Sequence, residues 1–209
     1  VMFAVSGGSI SHTECTATIP PVFSPKSKEE LKSALKARLE MSPKSDSSAV
    51  SLGPIGEWDV SRITDMSEMF SHATLFNGDI SKWDVSRVTD IRFMFSHAES
   101  FNSDLSKWDV SRATNMNGMF RHAAEFNADL SKWKVSNVQD MTNMFMRAAN
   151  FNGDVSKWDV SRVEKMDFLF MGAKSFEQKL CEPAWVRSKA SKSEMFEGSA
   201  GSILQTDCA

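Results

Sequence analysis

The sequence lacks several features that mark common classes of protein. Its 209 residues include no tyrosine, three cysteines, and no apolar run of about 18 residues, the length that crosses a bilayer as a helix. The net charge of −3 gives no bulk attraction to phosphate groups, so general binding of nucleic acid is not expected. A glycine-rich phosphate loop, a Cys-x-x-Cys pair and a catalytic Ser-His-Asp motif are also absent from the sequence. We therefore expect a protein that is soluble or peripheral to a membrane, with no cofactor and no catalytic activity.

Methionine, tryptophan and phenylalanine are abundant because one motif is repeated. Tryptophans recur every 25 residues, and each begins a close copy of Trp-Asp-Val-Ser-Arg-Val-Thr-Asp-Met. They are Trp58, Trp83, Trp108, Trp133 and Trp158. A period of this length is typical of a solenoid, in which no unit buries its own apolar face and each unit stacks on its neighbours. The sequence therefore predicts five stacked coils of 25 residues each.

Apolar residues fall in the same columns of all five copies, and these columns predict a shared core. Two of the columns contain only phenylalanine: Phe70, Phe95, Phe120, Phe145 and Phe170, and Phe76, Phe101, Phe126, Phe151 and Phe176. Each fully buried side chain contributes roughly 1.5–3 kcal/mol, which offsets the chain entropy of a coil only when its neighbours are present. An isolated coil is not expected to fold.

Local patterns predict one short strand and one short helix in each coil. Met66, Met69, Phe70 and Ala73 follow the spacing of one helical face, and Asp65 precedes them as an N-cap residue. The Lys-Trp-Asp-Val segment before them favours a strand that would pair in parallel with the strand of the next coil.

The repeat Phe-Asn-x-Asp-Ile-Ser-x-Trp-Asp-Val-Ser-x-Val-Thr-x-Met-x-x-Met-Phe resembles that of the BspA-like surface proteins. This family was first noticed as a domain of unknown function in Mycoplasma surface lipoproteins and is related to leucine-rich repeats. The resemblance covers residues 54–180, and the lead-in at 53–58 looks like that of algal and protist members. It implies an α/β fold, namely a right-handed leucine-rich-repeat-like solenoid, and a role in protein binding or adhesion without catalytic residues. The fourth coil departs from the pattern at Lys134 and Asn137, and the fifth loses later columns, which indicates that the array ends there.

Composition divides the rest of the chain into flanking segments. Ser27 to Glu30 reads as a capping box, and an apolar stripe then continues as far as Pro43. We expect this helix to cap the open end of the solenoid. The predicted segments are an extended N-terminal tail at 1–26, the capping helix at 27–42, a linker at 43–53, the repeat solenoid at 54–180, and a C-terminal cap and tail at 181–209.

The cysteines leave two redox states open. A disulfide between Cys181 and Cys208 would contribute about 3 kcal/mol in the chain-entropy model and would leave Cys15 unpaired. The alternative is three reduced thiols in a reducing compartment. Because the chain begins at Val1 without an initiator methionine, we also expect that a targeting segment has been removed or precedes the given residues.

Exposed columns of the repeat supply candidate contacts with partners. Aspartates and basic residues recur on both sides of each tryptophan, and we expect them to pair in surface ladders of opposite charge. The alternative is that the basic residues meet an acidic partner or phosphates. Phe93 adds an apolar residue to an otherwise polar or small column. The candidate contacts are Arg62, Arg87, Arg112, Arg162, Phe93 and Lys134.

Two further columns carry residue types found in metal sites. His72, His97 and His122 would stack about 5 Å apart, but a cation, Arg147, continues their column, so a metal role is not expected. The Asn77 column and the aspartates near it offer oxygen ligands for Ca²⁺, yet stacked asparagines that bond to backbone explain the repetition better. Identical columns also give identical environments, which argues against a catalytic pair with different pKa values.

These patterns predict a non-enzymatic protein-binding scaffold, docked as an accessory structural subunit on a multisubunit assembly. The algal resemblance suggests a photosynthetic or respiratory membrane complex as host, in a plastid near the thylakoid or in another organelle. The alternative is a secreted or cell-surface module for adhesion and recognition.

Overall fold

The computed structural model of the chain describes residues 22–43 and 52–205. In these ranges, helices and strands occur only towards the two ends. They are helix α1 (Lys28–Met41), a 3-10 helix (Ile55–Glu57), strand β1 (Lys179–Leu180), helix α2 (Pro183–Val186) and strand β2 (Ser202–Ile203). The strands pair in parallel, with Lys179 opposite Ser202 and Leu180 opposite Ile203. Five repeated units lie between helix α1 and strand β1, and we number them from residues 54–78, 79–103, 104–128, 129–153 and 154–178.

Helix α1 begins and ends at residues that suit those positions. The Ser27 hydroxyl accepts a hydrogen bond from the Glu30 N–H at 3.2 Å, as an N-cap should. At the other end the Ser42 N–H donates to the Arg38 carbonyl, and Pro43 prevents further helix. The helix predicted from the capping box is therefore confirmed.

α1 and the residues before it lie against the first unit. Leu31 and Leu35 are buried in the common core. The ring of Phe23 meets Trp58 edge to face, with the ring centres 4.9 Å apart. Lys28 Nζ lies 2.9 Å from each carboxylate oxygen of Asp65. These contacts cover the N-terminal end of the core.

The short helix predicted in each unit is wrong, because the chain there forms consecutive β-turns. In the first unit the N–H groups of Met69, Ser71 and Ala73 each donate to the carbonyl three residues earlier. Glu68 and His72 have φ values of 62°, in the left-handed region, and both columns are left-handed in the other units as well. Each turn closes after four residues, so no α-helix propagates.

The other N–H groups of this stretch join neighbouring units. The N–H groups of the first unit that alternate with the turn donors reach carbonyls of the second unit over 2.8–3.0 Å. The pairs are Met66 to Asp90, Glu68 to Arg92, Phe70 to Met94 and His72 to Ser96. Every buried backbone donor of the stretch thus has an acceptor, either within its own unit or in the next.

The strand predicted around each tryptophan is also wrong. The N–H of Trp83 donates to Ile80 and that of Val88 to Val85, so both close turns within one unit. Tryptophan and valine occupy these positions because they pack into the core, which is what β-propensity largely measures. The Trp83 ring N–H instead joins units by donating to the Ile55 carbonyl at 2.8 Å. Strand-like pairing between units is confined to single bridges such as Asp65 to Asp90.

Burial confirms the predicted core columns. All members of the two phenylalanine columns are buried, at 4% exposure or less. Within a unit the two rings stack with centres 3.8–4.4 Å apart, and along the first column successive rings lie 5.3–5.6 Å apart. Ala73 in the first unit is half-buried, whereas Ala98 in the second is fully buried. The core is therefore complete only where a unit has neighbours on both sides.

A sixth, irregular unit at 179–205 continues the stack. Ser191 forms a parallel bridge with Lys165, one residue later than the period requires. The ring of Phe196 stacks on Phe170 at 5.7 Å, and the Trp185 ring N–H donates to the Val155 carbonyl at 3.1 Å. The C-terminal segment therefore supplies its own tryptophan and phenylalanine to the core.

Candidate interaction surface

The second, third and fifth units present basic side chains on the outer corners of two successive turns. The turns follow a five-residue pattern of aspartate, an apolar residue, serine, a basic residue and an apolar residue, seen at 79–83 and 84–88. Both apolar residues of each pattern are buried, which leaves the serine and the basic residue at the corner. The five-residue spacing can be read from the sequence, but a strand and a helix were predicted in its place.

The aspartate of each pattern holds its own turn closed. Asp79 accepts a hydrogen bond from the Ser81 N–H at 2.9 Å, and Asp84 accepts one from the Ser86 N–H at 3.0 Å. These hydrogen bonds from Ser81 keep the pKa of Asp79 below its ordinary value. The corners are thus fixed by local hydrogen bonds, which orient the basic side chain that follows.

The expected ladders of opposite charge are wrong for the described part of the chain. There, no ion pair joins the aspartates of the five-residue patterns to the lysine or arginine columns. The carboxylates accept hydrogen bonds from serine N–H groups instead, as Asp79 does from Ser81. The spacing of charged residues along the sequence therefore predicted the wrong ion pairs.

The arginine column consists of exposed guanidinium groups in successive units. Arg62, Arg87 and Arg112 are exposed, and among the described residues none of them forms a hydrogen bond or an ion pair. Arg162 is exposed as well, and its Nη1 donates to Asn137 Oδ1 at 2.9 Å. Like charges one stacking distance apart repel each other, so an anionic partner would lower the energy of the row.

In the fourth unit a lysine occupies the aspartate column, and the arginine column has no basic residue. Lys134 is exposed there and adds to the effect of the Ser111 hydrogen bonds, which lower the pKa of Asp109. Asn137 occupies the arginine column and donates to the Ser111 carbonyl at 2.8 Å. The basic surface is therefore continuous over three units and displaced in the fourth.

The lysine column lies on the preceding corner of each unit. Two of its members form ion pairs with glutamates of the preceding or following unit, Lys82 with Glu57 and Lys157 with Glu182. In the described residues Lys107 and its copy Lys132 have no such partner, and both are exposed. Among the described residues, only the third unit, with Lys107 and Arg112, thus has cations of both columns outside ion pairs.

Phe93 lies across the neighbouring unit and is not a free contact residue. Its φ is 53°, and the side chain is half-buried. A Cβ added to Gly118 would lie 2.3 Å from the Phe93 ring, so the ring occupies the space that this glycine leaves. Only the outer part of the ring is available to a partner.

The histidine column forms a stack of rings. The ring centres of His72 and His97 are 4.6 Å apart, and those of His97 and His122 are 4.4 Å apart. Burial, followed by the charges of nearby groups, lowers the pKa of His122 to about 4, so that ring is neutral at pH 7. Across the described residues no group of three His, Cys, Asp or Glu side chains is arranged to hold a metal ion.

The asparagine column joins units through backbone groups. Asn77 Oδ1 accepts from the Asn102 N–H at 2.8 Å, and Asn102 Oδ1 accepts from the Asn127 N–H at 2.8 Å. The predicted asparagine ladder is confirmed.

The predicted disulfide falls partly outside the described residues. Cys181 is disulfide-bonded. Cys208 and Cys15 lie outside the described ranges, as do residues 1–21 of the predicted tail and 44–51 of the predicted linker. The pairing of Cys181 with Cys208 stays a prediction.

Comparison with known proteins identifies a family. The model of the family described as Mycoplasma protein of unknown function, DUF285, matches residues 40–141 and again residues 104–205. No curated protein and no solved structure matches the chain. Among the described residues, no helix combines the length and the apolar character needed to cross a membrane.

Proposed function

We propose that this chain, which belongs to the DUF285 family of Mycoplasma-type repeat proteins, is a non-enzymatic scaffold that binds other proteins. The function of the family is unknown, so the proposal depends on the surface of this chain. One observation carries it: Arg62, Arg87 and Arg112 are exposed at fixed turn corners and form no ion pair with a carboxylate in the described residues. Such a row is suited to contact with a protein and has no arrangement for chemistry.

The proposed architecture is a right-handed solenoid of the leucine-rich-repeat-like kind, with turns in place of the short strand and helix. Hydrogen bonds between residues about one period apart support it, such as Met66 to Asp90 and Thr89 to Thr64. The stacked phenylalanine rings support it as well. A stack of this kind offers a rigid flank along which side chains recur at a constant spacing.

The proposed partner presents carboxylates to the arginine column. Guanidinium groups bind carboxylates in a planar, two-pronged geometry that lysine does not provide. Because the corners are fixed by the aspartate hydrogen bonds, less freedom is lost on binding than with flexible loops. We propose that the chain serves in this way as an accessory subunit of a larger assembly.

The test is capture of the native assembly with the tagged full-length chain, followed by measurement of affinity for the co-purified partner. The variant R62Q/R87Q/R112Q should bind about tenfold more weakly, because three exposed charge contacts of about 0.2–1 kcal/mol each are lost. Binding should also depend less on salt concentration, because fewer charges take part.

The matched control removes the same charge elsewhere. Lys36, Lys174 and Lys189 are exposed and lie outside both basic columns. K36Q/K174Q/K189Q should keep the affinity of the unchanged protein. Equal loss in both variants would show that only net charge matters, and no loss in either would exclude the arginine column as the contact.

A secreted or cell-surface recognition module is the second candidate, and the disulfide at Cys181 favours it. Disulfides persist in oxidising compartments and are rare in reducing ones. In that case the purified chain should bind a surface ligand without other subunits, and labelling of intact cells should reach it. Fixed-stoichiometry sedimentation with an internal membrane complex would exclude this candidate.

A further inference from the structure

The C-terminal end of the stack exposes a row of unused backbone donors. Between interior units, N–H groups at four alternate positions donate to the next unit. In the sixth unit the equivalent groups belong to Lys192, Glu194, Phe196 and Gly198, and within the described part of the chain none of these N–H groups has an acceptor. Glu194 and Gly198 have φ values of 50° and 71°, as their columns require in interior units. This end therefore has the backbone shape and the donors of an interior interface.

The first unit carries the matching acceptors. Interior interfaces use the carbonyls of four columns, which begin in the first unit at Asp65, Ser67, Met69 and Ser71. In the ranges that the structure describes, none of these four carbonyl oxygens accepts a hydrogen bond. α1 lies beside them and is held by side-chain contacts, including the ion pair of Lys28 with Asp65.

We propose that the two ends are the halves of a head-to-tail interface between copies of this chain, and that α1 keeps it closed. The N–H row of one copy would donate to the carbonyl row of the next. The register would be that of the bond from the Met166 N–H to the Ser191 carbonyl, which joins the fifth unit to the sixth.

The backbone shape favours a second copy over an extended peptide as the occupant. The first and last Cα atoms of a four-residue β-turn lie less than about 7 Å apart, whereas three residues of extended strand advance about 10 Å. The carbonyl groups of a straight strand are therefore spaced too widely to face the N–H donors of consecutive turns. The first unit makes the same turns in the same columns, as the left-handed Glu68 and His72 show.

α1 covers only part of the carbonyl row, which suits a removable cap. Its N-terminal half is attached through Lys28 to Asp65 and through Lys32 to Glu68, at 2.9 and 3.7 Å. Beside its C-terminal half lies a cavity of about 510 Å³, lined by residues of α1 and of the first unit. Leu75 on this cavity is 46% exposed. Release of α1 would uncover the whole row.

Acidic side chains form a second barrier at the C-terminal end. Glu194 occupies the column that begins with Glu68, so a head-to-tail contact brings these two carboxylates together. Glu197 lies on the same turn stretch and is exposed. Charged residues at an open edge are a common protection against unwanted pairing. Removing both charges should therefore strengthen association once α1 is released.

The interface is heterologous and leaves one free end on each copy. Assembly through it is therefore expected to continue into linear chains of increasing length unless the rotation closes a ring. In the described residues, an unchanged copy has open N–H donors on its sixth unit and α1 beside the carbonyl row of its first unit. It should bind to the uncovered first unit of a growing chain and stop growth there.

The experiment compares full-length variants by sedimentation velocity over a range of concentrations. The release variant K28E/L31D/K32E/L35D removes the apolar and ionic contacts of α1, and S33E/A37E adds acidic residues to exposed positions of α1 as a matched control. The unchanged protein and S33E/A37E should stay monomeric. The release variant should form a concentration-dependent series of oligomers, and adding E194Q/E197Q should lower the concentration required by at least about tenfold.

Equimolar unchanged protein should shorten the oligomers of the release variant. Retained near-ultraviolet circular dichroism of the buried tryptophans shows that the stack is still folded. The proposal is overturned if a folded release variant stays monomeric, or if its aggregates are not shortened by the unchanged protein. Loss of the tryptophan signal would overturn it too, because α1 would then be part of the fold and not a removable cap.

Discussion

The two ends of the stack are finished by different means. At the N-terminal end a separate helix supplies two buried leucines, and Phe23 covers Trp58. At the C-terminal end the chain continues as an irregular unit, and Lys192 Nζ donates to the carbonyls of Ser188 and Ala190 at 2.7 and 3.1 Å. Partial burial lowers the pKa of this lysine. One end is covered by added apolar residues, whereas the other uses a cation to satisfy carbonyls and, as far as the described residues show, leaves N–H groups without an acceptor.

This difference shows that a stack of turns has two separate needs at its ends. Apolar layers must be shielded from water, and backbone groups that would join a further unit must find partners. The N-terminal helix meets the first need, but in the described residues it donates no hydrogen bond to the open carbonyls of the first unit. The C-terminal unit shields the apolar layers with Trp185 and Met195, which are buried. Its carbonyls accept hydrogen bonds from the fifth unit, but among the described residues the N–H groups that would join a further unit have no acceptor. Interior units meet both through their neighbours.

The largest expected effect separates the middle of the stack from its C-terminal end. Phe120→Ala should lower the free energy of unfolding by about 3–5 kcal/mol, because this ring is fully buried between stacked neighbours. Phe196→Ala should cost about 1–2 kcal/mol, because Phe196 is half-buried and has a stacked neighbour on one side only. Urea denaturation of both variants measures the difference. Equal losses would contradict the distinction between interior and end.

Close packing between interior units should appear in a comparison of glycines. Gly118 and Gly53 have φ values of 59° and 69°, but only Gly118 has a ring in the place of its missing Cβ. Gly118→Ala should therefore cost about 2 kcal/mol and Gly53→Ala about 1 kcal/mol. When Phe93→Ala is combined with Gly118→Ala, the extra loss of stability at Gly118 should disappear, and a double-mutant cycle measures this coupling. Additive effects would show that Phe93 does not pack on Gly118.

The lysines at the two ends should differ in their contribution. Lys192→Met leaves two carbonyls without their donor and should cost about 1–2 kcal/mol. Lys28→Met should cost about 0.5–1 kcal/mol, because its partner Asp65 is partly exposed to solvent. Thermal or urea unfolding of the two variants checks the order. The reverse order would mean that Lys192 does not close the C-terminal end.

A small, pH-dependent effect is expected at His122 in the interior of the histidine column. Its folded-state pKa of about 4 lies below the ordinary value of 6.5, so the unfolded chain binds more protons between these pH values. Stability should therefore be fully present above pH 6.5 and should fall as the pH drops towards 4. Because the ring is partly exposed, we expect a loss of about 1 kcal/mol at pH 5. His122→Gln should reduce this loss, and an unchanged pH profile would contradict the assignment.

The core columns could be predicted from the repeat, because columns of identical residues reveal which side faces the core. The phenylalanine columns and the asparagine ladder follow from the period alone. The prediction of a short helix in each unit was wrong because apolar residues at i, i+3, i+4 and i+7 are also compatible with consecutive four-residue turns. Gly118 and Gly172 in the left-handed columns were the available signal, since glycine often marks such a backbone conformation.

The exposure of the arginine column could be predicted from the sequence, but the partners of the aspartates could not. Arg62 and its copies lie on exposed corners, as their alternation with buried valines indicates. Sequence spacing could not show that Asp84 prefers the Ser86 N–H to a neighbouring cation, because the choice depends on a turn closed by local backbone bonds. The open donor row at Lys192 to Gly198 was equally hidden, since every residue has an N–H and only the stack decides which of them are used.

Amide hydrogen exchange tests the stacked-turn arrangement most directly. The N–H groups of Phe70, Phe95, Phe120, Phe145 and Phe170 each donate to the next unit, so their exchange should be strongly slowed. Phe196 in the same column should exchange at least about a hundredfold faster than Phe120, because its N–H has no acceptor in the described residues. Similar protection at Phe196 and Phe120, or rapid exchange at all six, would contradict the account.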